Sequence, residues 1–302
     1  MFNLETSVAG IKLKNPITNA SGILAKDIDS IKELVSSGLG AVVTKSITIE
    51  PRKPYDLPTA VPLECGMLNA VGLSNPGSES LKETLSTLKE VGIPIIVSIA
   101  GRNEKEFAHV AHVAEKYGAS AIELNLSCPH VEKMGLEVLN DISLMRKVVK
   151  GVTSTVKIPV IAKLGIVDDI VRLSGVVLES GAKALSLINT IRAMKIDVYT
   201  KRPVLSHVIG GLSGMAIHPI AVRAVYEVYK EYRVDIMGVG GVYDWETAIE
   251  MIVAGARAVQ VGTAIIKKGL GVINEIIDGM IKYGEEIGAR SIGEIVGAAH
   301  KA

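Results

Sequence analysis

The run Glu123-Leu124-Asn125-Leu126-Ser127-Cys128-Pro129-His130 decides how this chain is read. Apolar and polar residues alternate at the two-residue period of a strand, and the alternation stops at an amide, a thiol and a proline, which cannot continue a sheet ladder. A buried strand that ends in chemically capable side chains is how an α/β barrel presents a site, at the carboxyl end of its parallel strands.

Working outward, comparable apolar runs occupy residues 17–20, 41–47, 94–100, 121–127, 159–165, 184–190, 235–241 and 258–264. Helix-like amphipathic segments lie between or after them, at 27–37, 78–91, 104–117, 140–151, 168–180, 219–232, 244–254 and 269–283. Several end in glycine followed by the next apolar run, as at Gly38-Leu39-Gly40-Ala41, Gly118-Ala119, Gly181-Ala182 and Gly255-Ala256, the arrangement of a helix C-cap. Strand and helix in strict alternation predict a parallel sheet, either closed or doubly wound. Closure is favoured: no G-x-G-x-x-G follows the first strand, and polar residues gather at the ends of all the strands instead of one crevice. The predicted fold is therefore a (β/α)8 TIM barrel in a single domain, residues 1–302. Residues 4–14 read as a hairpin plugging the floor, and the long connections 48–77 and 191–218 as lids or binding loops over the carboxyl-terminal face.

Composition narrows the function. Hydrophobic residues make up 48%, aromatics only 4%, and Lys+Arg 33 against Asp+Glu 32 leaves a net charge of +1. No field of one sign exists to attract nucleic acid or an anionic membrane, so the expected partner is a small molecule. Two cysteines, Cys65 and Cys128, are too few for a disulfide framework. The first residues lack a signal-peptide layout, and the most apolar stretch, 251–266, is interrupted by Arg257 and Gln260. A cytoplasmic protein is the expectation.

Glycines after the seventh and eighth strands, Gly240-Gly241 and Gly262-Thr263, suit backbone contacts to a phosphate, and Gly210-Gly211-Leu212-Ser213-Gly214 adds to them. Lys45 and Lys163 follow apolar runs and should project into the mouth, where they would serve anionic groups such as a reduced flavin ring and a carboxylate. Asn69, Asn125 and Asn189 offer both donors and acceptors, which suits a ring of alternating C=O and N–H groups such as a pyrimidine. Cys128, before the strand-ending proline, should face the mouth as a reactive thiol, a nucleophile or a base; Cys65 reads as a structural residue.

In order along the chain, Ala20-Ser21-Gly22, Thr44-Lys45-Ser46, Leu68-Asn69-Ala70-Val71-Gly72-Leu73-Ser74-Asn75-Pro76-Gly77, Asn125-Leu126-Ser127-Cys128-Pro129, Ala162-Lys163-Leu164, Ile188-Asn189-Thr190, Gly240-Gly241 and Gly262-Thr263 resemble the dihydroorotate dehydrogenases, specifically the class with a cysteine base. The resemblance implies FMN at Ser21, Lys45, Ser46, Asn125, Lys163, Ile188, Gly214, Gly240, Gly241, Gly262 and Thr263, its phosphate at the last four. It implies dihydroorotate at Lys45, Asn69, Gly72, Leu73, Asn125, Asn189 and Thr190. Cys128 would remove the C5 proton while C6 delivers hydride to flavin N5, giving orotate for pyrimidine biosynthesis. It also implies a homodimer, or a heterotetramer with an FAD and iron-sulfur electron-transfer subunit that hands electrons to NAD; fumarate is the other acceptor. Many relatives carry Asn where this chain has Ser98 and where it has His130. Another FMN barrel acting on a different dihydropyrimidine, and a non-redox phosphate-binding barrel, are the alternatives.

Overall fold

The computed structural model describes residues 2–126 and 141–301. Every one of the eight apolar runs forms a parallel strand of one eight-stranded sheet: Ile17–Asn19, Val42–Val43, Ile95–Ile99, Ala121–Asn125, Val160–Leu164, Ala184–Leu187, Asp235–Val239 and Ala258–Val261. From the second strand to the eighth, each pairs with the next in chain order, and the last pairs with the first through Val259↔Ile17. The remaining seam, between the first and second strands, is closed by a bridge from Thr18 to Ala41, by Gly40 N–H to Ile17 O at 2.8 Å, and by the Asn19 side chain. Asn19 accepts from Val43 N–H and donates to Val43 O, both at 2.8 Å, so an amide side chain supplies the ladder bonds these short strands lack. The sheet is a closed (β/α)8 TIM barrel.

The helices follow from local sequence. In Glu104–Tyr117 the buried residues Phe107, Val110, Ala111 and Ala114 recur at helical spacing, Asn103 caps the amino end and Gly118, at φ 105°, ends it. In Trp245–Ala254 Asp244 and Thr247 form a reciprocal capping box. Outward-facing strand residues pack under these helices in one large core. Inside the barrel, a separate apolar layer of Ala41, Val43, Ile96, Ala121, Ile161, Ala184, Met237 and Ala258 is sealed from below by Val8 and Leu13. Those two residues come from the expected hairpin, Thr6–Val8 paired with Ile11–Leu13.

Some predicted boundaries change. The second strand stops at Val43 because the Lys45 N–H turns aside to Ala25 O at 3.1 Å. The eighth ends at Val261, and Thr263–Lys268 is a short helix where the alternation predicted more strand. The two long connections are not irregular: each forms a pair of strands, and the two pairs join edge to edge as a four-stranded antiparallel sheet, in the order Ile191–Ala193, Gly210–Ser213, Gly66–Asn69, Ala60–Leu63. This second sheet has its own small core of Leu68, Ala70 and Leu205. The chain end, Ile292–Ile295 and Ala298–His300, adds short helical turns with no counterpart in the sequence reading. No helix of the described residues is long and apolar enough to cross a membrane.

Candidate active site

Two residues beyond the apolar floor, on the same face of the strands, the barrel interior turns polar. Ser98, Glu123, Ser186 and Gln260 are at most 1% exposed and Lys163 only 4%. Burying an ammonium and a carboxylate is costly unless they are paired and hydrogen-bonded. Here Lys163 Nζ donates to Gln260 Oε1 at 3.0 Å, Gln260 Nε2 donates to Glu123 Oε2 at 2.7 Å, and Glu123 Oε1 faces Lys163 Nζ at 3.7 Å. Glu123 Oε1 and Ser186 Oγ have no hydrogen-bond partner among the described residues.

Above this layer lies a cavity of about 380 Å³, within the range of small-ligand sites. Every described residue among the candidates lines it: Ser21, Lys45, Ser46, Asn69, Gly72, Leu73, Asn125, Lys163, Ile188, Asn189, Thr190, Gly214, Gly240, Gly241, Gly262 and Thr263. Cys128, with Ser127, Pro129 and His130, lies outside the described residues.

The cavity has two chemically different ends. At one, Gly214, Gly240 and Gly241 adopt φ of 93°, 134° and 70°. A Cβ on Gly240 would stand 2.7 Å from Ala221 Cβ, and one on Gly241 2.6 Å from His218 Cβ, so both conformation and packing require glycine. His218, buried beneath them, donates its Nδ1–H to Gly240 O at 2.8 Å and places Nε2 3.2 Å from Glu250. Thr263, at the start of its short helix, donates its hydroxyl to Ser213 at 2.8 Å beside Gly214.

The other end carries amides, hydroxyls and cations. Asn125 donates to Ser46 Oγ at 3.0 Å, and Ser46 is in turn bonded to Ser98 at 3.0 Å and to Ser21 at 3.3 Å. Ser98 thus completes a chain of three hydroxyls beside the Asn125 amide. Asn189 donates to Asn125 Oδ1 at 3.3 Å, which ties the ends of two strands together. Asn69, on the lid sheet, donates to Gly211 O at 3.3 Å. Lys45 Nζ reaches Ser74 Oγ at 2.9 Å, and burial, reinforced by the nearby Lys26 charge, holds its ammonium below the ordinary lysine range.

Gly72 and Leu73 are consecutive left-handed residues, at φ 85° and 56°. The leucine conformation is costly, and Asn75 holds it: its side chain donates to Leu73 O and Thr48 Oγ1 at 2.8 Å and accepts from Gly77 N–H at 2.9 Å.

Sequence reasoning missed four of these residues. Glu123 passed as part of a strand alternation and Gln260 as a break in an apolar run; a charged or amide residue inside such a run is itself the signal of a buried polar partner. Asn75 and His218 act on loop backbone, which spacing does not reveal. Cys65, expected to be structural, is instead a free, exposed residue at the tight turn between two lid strands, where its carbonyl accepts from Ala216 N–H at 3.0 Å.

Comparison with known proteins identifies the family. Residues 3–283 match the family model described as dihydroorotate dehydrogenase. The chain belongs to the dihydroorotate dehydrogenase family. It is 50% identical over 300 residues to an Aeropyrum pernix protein provisionally named dihydroorotate dehydrogenase A (fumarate), covering 99% of this chain and 98% of that one. It is 46% identical over 302 residues to a Thermoplasma volcanium protein and 44% identical over 301 to one from Pyrococcus furiosus. Both are named as the catalytic subunit of dihydroorotate dehydrogenase B (NAD(+)), with coverage of 99% or more on each side. A crystal structure of Eimeria tenella DHODH in complex with ferulenol superposes with a TM-score of 0.86 at 21% identity, over 99% of this chain and 89% of that one, which supports the fold.

Proposed function

We propose that this chain oxidises dihydroorotate to orotate in pyrimidine biosynthesis with FMN as its bound cofactor. The observation that carries the reading is the single cavity with two ends: glycine turns that admit a phosphate at one, and lysines with converging amides at the other. The residues fit FMN. Gly240, Gly241, Gly262 and Thr263 would hold the phosphate, with Gly214 alongside. Lys163 would hold the pyrimidine edge of the ring, where an ammonium stabilises negative charge. Ser21, Lys45, Ser46, Asn125 and Ile188 would line the rest. FMN, when bound, supplies the two-electron acceptor that this chain's side chains cannot.

Lys45, Asn69, Asn125, Asn189 and Thr190, with the backbone of Gly72 and Leu73, would hold dihydroorotate over it. Lys45 meets the carboxylate, and the amides match the ring's C=O and N–H groups. Cys128 accepts the proton from C5. The lid sheet would exclude water while the ring is oxidised.

The acceptor beyond the flavin is proposed to be NAD, reached through a partner subunit carrying FAD and an iron-sulfur cluster, as the catalytic-subunit names of two relatives favour. The chain itself is proposed to form a homodimer and to work in the cytoplasm. The test is anaerobic: the FMN-loaded chain is mixed with dihydroorotate, and fumarate, NAD and a quinone are then added separately. Bleaching of the flavin by dihydroorotate, with no reoxidation by NAD until a partner subunit is present, is the expected result. Direct reoxidation by fumarate would move the assignment to the fumarate type. Faster bleaching by a carboxylate-free dihydropyrimidine would move the substrate.

A further inference from the structure

The buried group beneath the cavity goes beyond what binding requires. Lys163 and Gln260 both line the cavity, but Glu123 does not; it stands behind them, inside the barrel. Gln260 has only one useful orientation there. Its oxygen must take the Lys163 ammonium and its nitrogen must face the carboxylate, since the flipped amide would set donor against donor. The glutamine is therefore a fixed polar link between a cation that touches the cavity and an anion that does not.

Folding alone does not call for this arrangement. One layer lower, the same strands fill the barrel with alanine, valine, isoleucine and methionine, and a buried ion pair is commonly no more stabilising than apolar residues of the same volume. Resting on the reading of the cavity as a flavin site, we propose that Glu123 and Gln260 are positioning residues that set the flavin's reduction potential through Lys163. Gln260 fixes the ammonium at the cavity floor. Glu123 offsets its charge, so that the reduced, more negative ring is stabilised less than a lone lysine would stabilise it.

The sign of each substitution follows from charge. Glu123→Gln keeps shape and hydrogen-bonding capacity but deletes the anion, so the potential rises. Gln260→Glu adds an anion at the cavity floor, so it falls. The double variant Glu123→Gln/Gln260→Glu only moves the anion, keeps an acceptor for Lys163 and a donor between the two side chains, and returns the potential toward wild type.

The experiment reconstitutes wild-type and variant chains with FMN and measures midpoint potentials by equilibration with a reference dye. Each single variant is expected to change the reduction equilibrium by about tenfold, which is about 30 mV for a two-electron couple, in opposite directions. Wild-type potentials in Glu123→Gln, or a shift of the same sign in both single variants, overturn the proposal. Should Glu123→Gln not fold, Gln260→Glu decides alone: a lowered potential supports the proposed role of the Lys163–Gln260–Glu123 group and an unchanged one overturns it. A wild-type chain that binds no flavin overturns the functional reading and the potential-setting role with it; bound flavin with unchanged potentials in the variants overturns the potential-setting role only.

Discussion

The floor of the barrel and the layer directly above it come from the same strands, two residues apart, yet they are built on opposite principles. The floor is apolar throughout and sealed by Val8 and Leu13 of the hairpin. The next layer buries Ser98, Glu123, Lys163, Ser186 and Gln260. Closing a barrel needs only the first kind of layer. The second is costly to desolvate and adds little net stability, so its presence marks where the molecule does chemistry.

Substitutions can break this contrast. The largest expected effect is at the proposed base: Cys128→Ala should slow flavin reduction by dihydroorotate by about 10² to 10⁴, the range for a lost general base. Stopped-flow absorbance under anaerobic conditions checks it, and a wild-type rate would refute the base assignment. In the polar layer, Lys163→Met should cost about 3–5 kcal/mol in urea unfolding, because it strands the Glu123 carboxylate without its cation. In the floor, Leu13→Ala should cost about 2–5 kcal/mol through the cavity it leaves. Its flavin-reduction rate per folded molecule should nevertheless match wild type, and a slowed rate would show that floor and site are coupled.

The smallest effect concerns pH. The Lys45 ammonium, which meets the substrate carboxylate in this account, is held below the ordinary lysine range by burial first and by Lys26 second. Its charged form is therefore lost at lower pH than an ordinary lysine's, and kcat/KM for dihydroorotate should fall as pH rises through that point. Lys26→Ala removes a like charge, so the falling limb should move to higher pH while the plateau stays. A limb that does not move would mean that Lys45 is not the titrating group.

Much of this was legible in the sequence. All eight barrel strands and the helix between residues 104 and 117 follow from period, β-branched content and glycine caps, because those signals are local. The lid sheet was not legible: its strands are short, and the two connections join only where Gly210–Ser213 pairs with Gly66–Asn69, far apart along the chain. The end of the second strand was hidden for a similar reason, since the Lys45 backbone is drawn away by Ala25, a long-range contact. At the site, residues projecting from strand ends could be read by position. Glu123, Gln260 and His218 could not, because each acts on another residue and its partner is visible only once the barrel is closed; Asn75 acts on backbone within its own loop, at Leu73 and Gly77, which residue type alone does not reveal.

The most direct test of the central claim, that one cavity holds both cofactor and substrate, is a crystal structure of the chain grown with FMN and orotate. The account predicts phosphate against Gly240, Gly241, Gly262 and Thr263, Lys163 within hydrogen-bond reach of the flavin ring, and orotate between Lys45, Asn69 and Asn189. Flavin or orotate bound anywhere outside this cavity, or a ring turned with its pyrimidine edge away from Lys163, would contradict it.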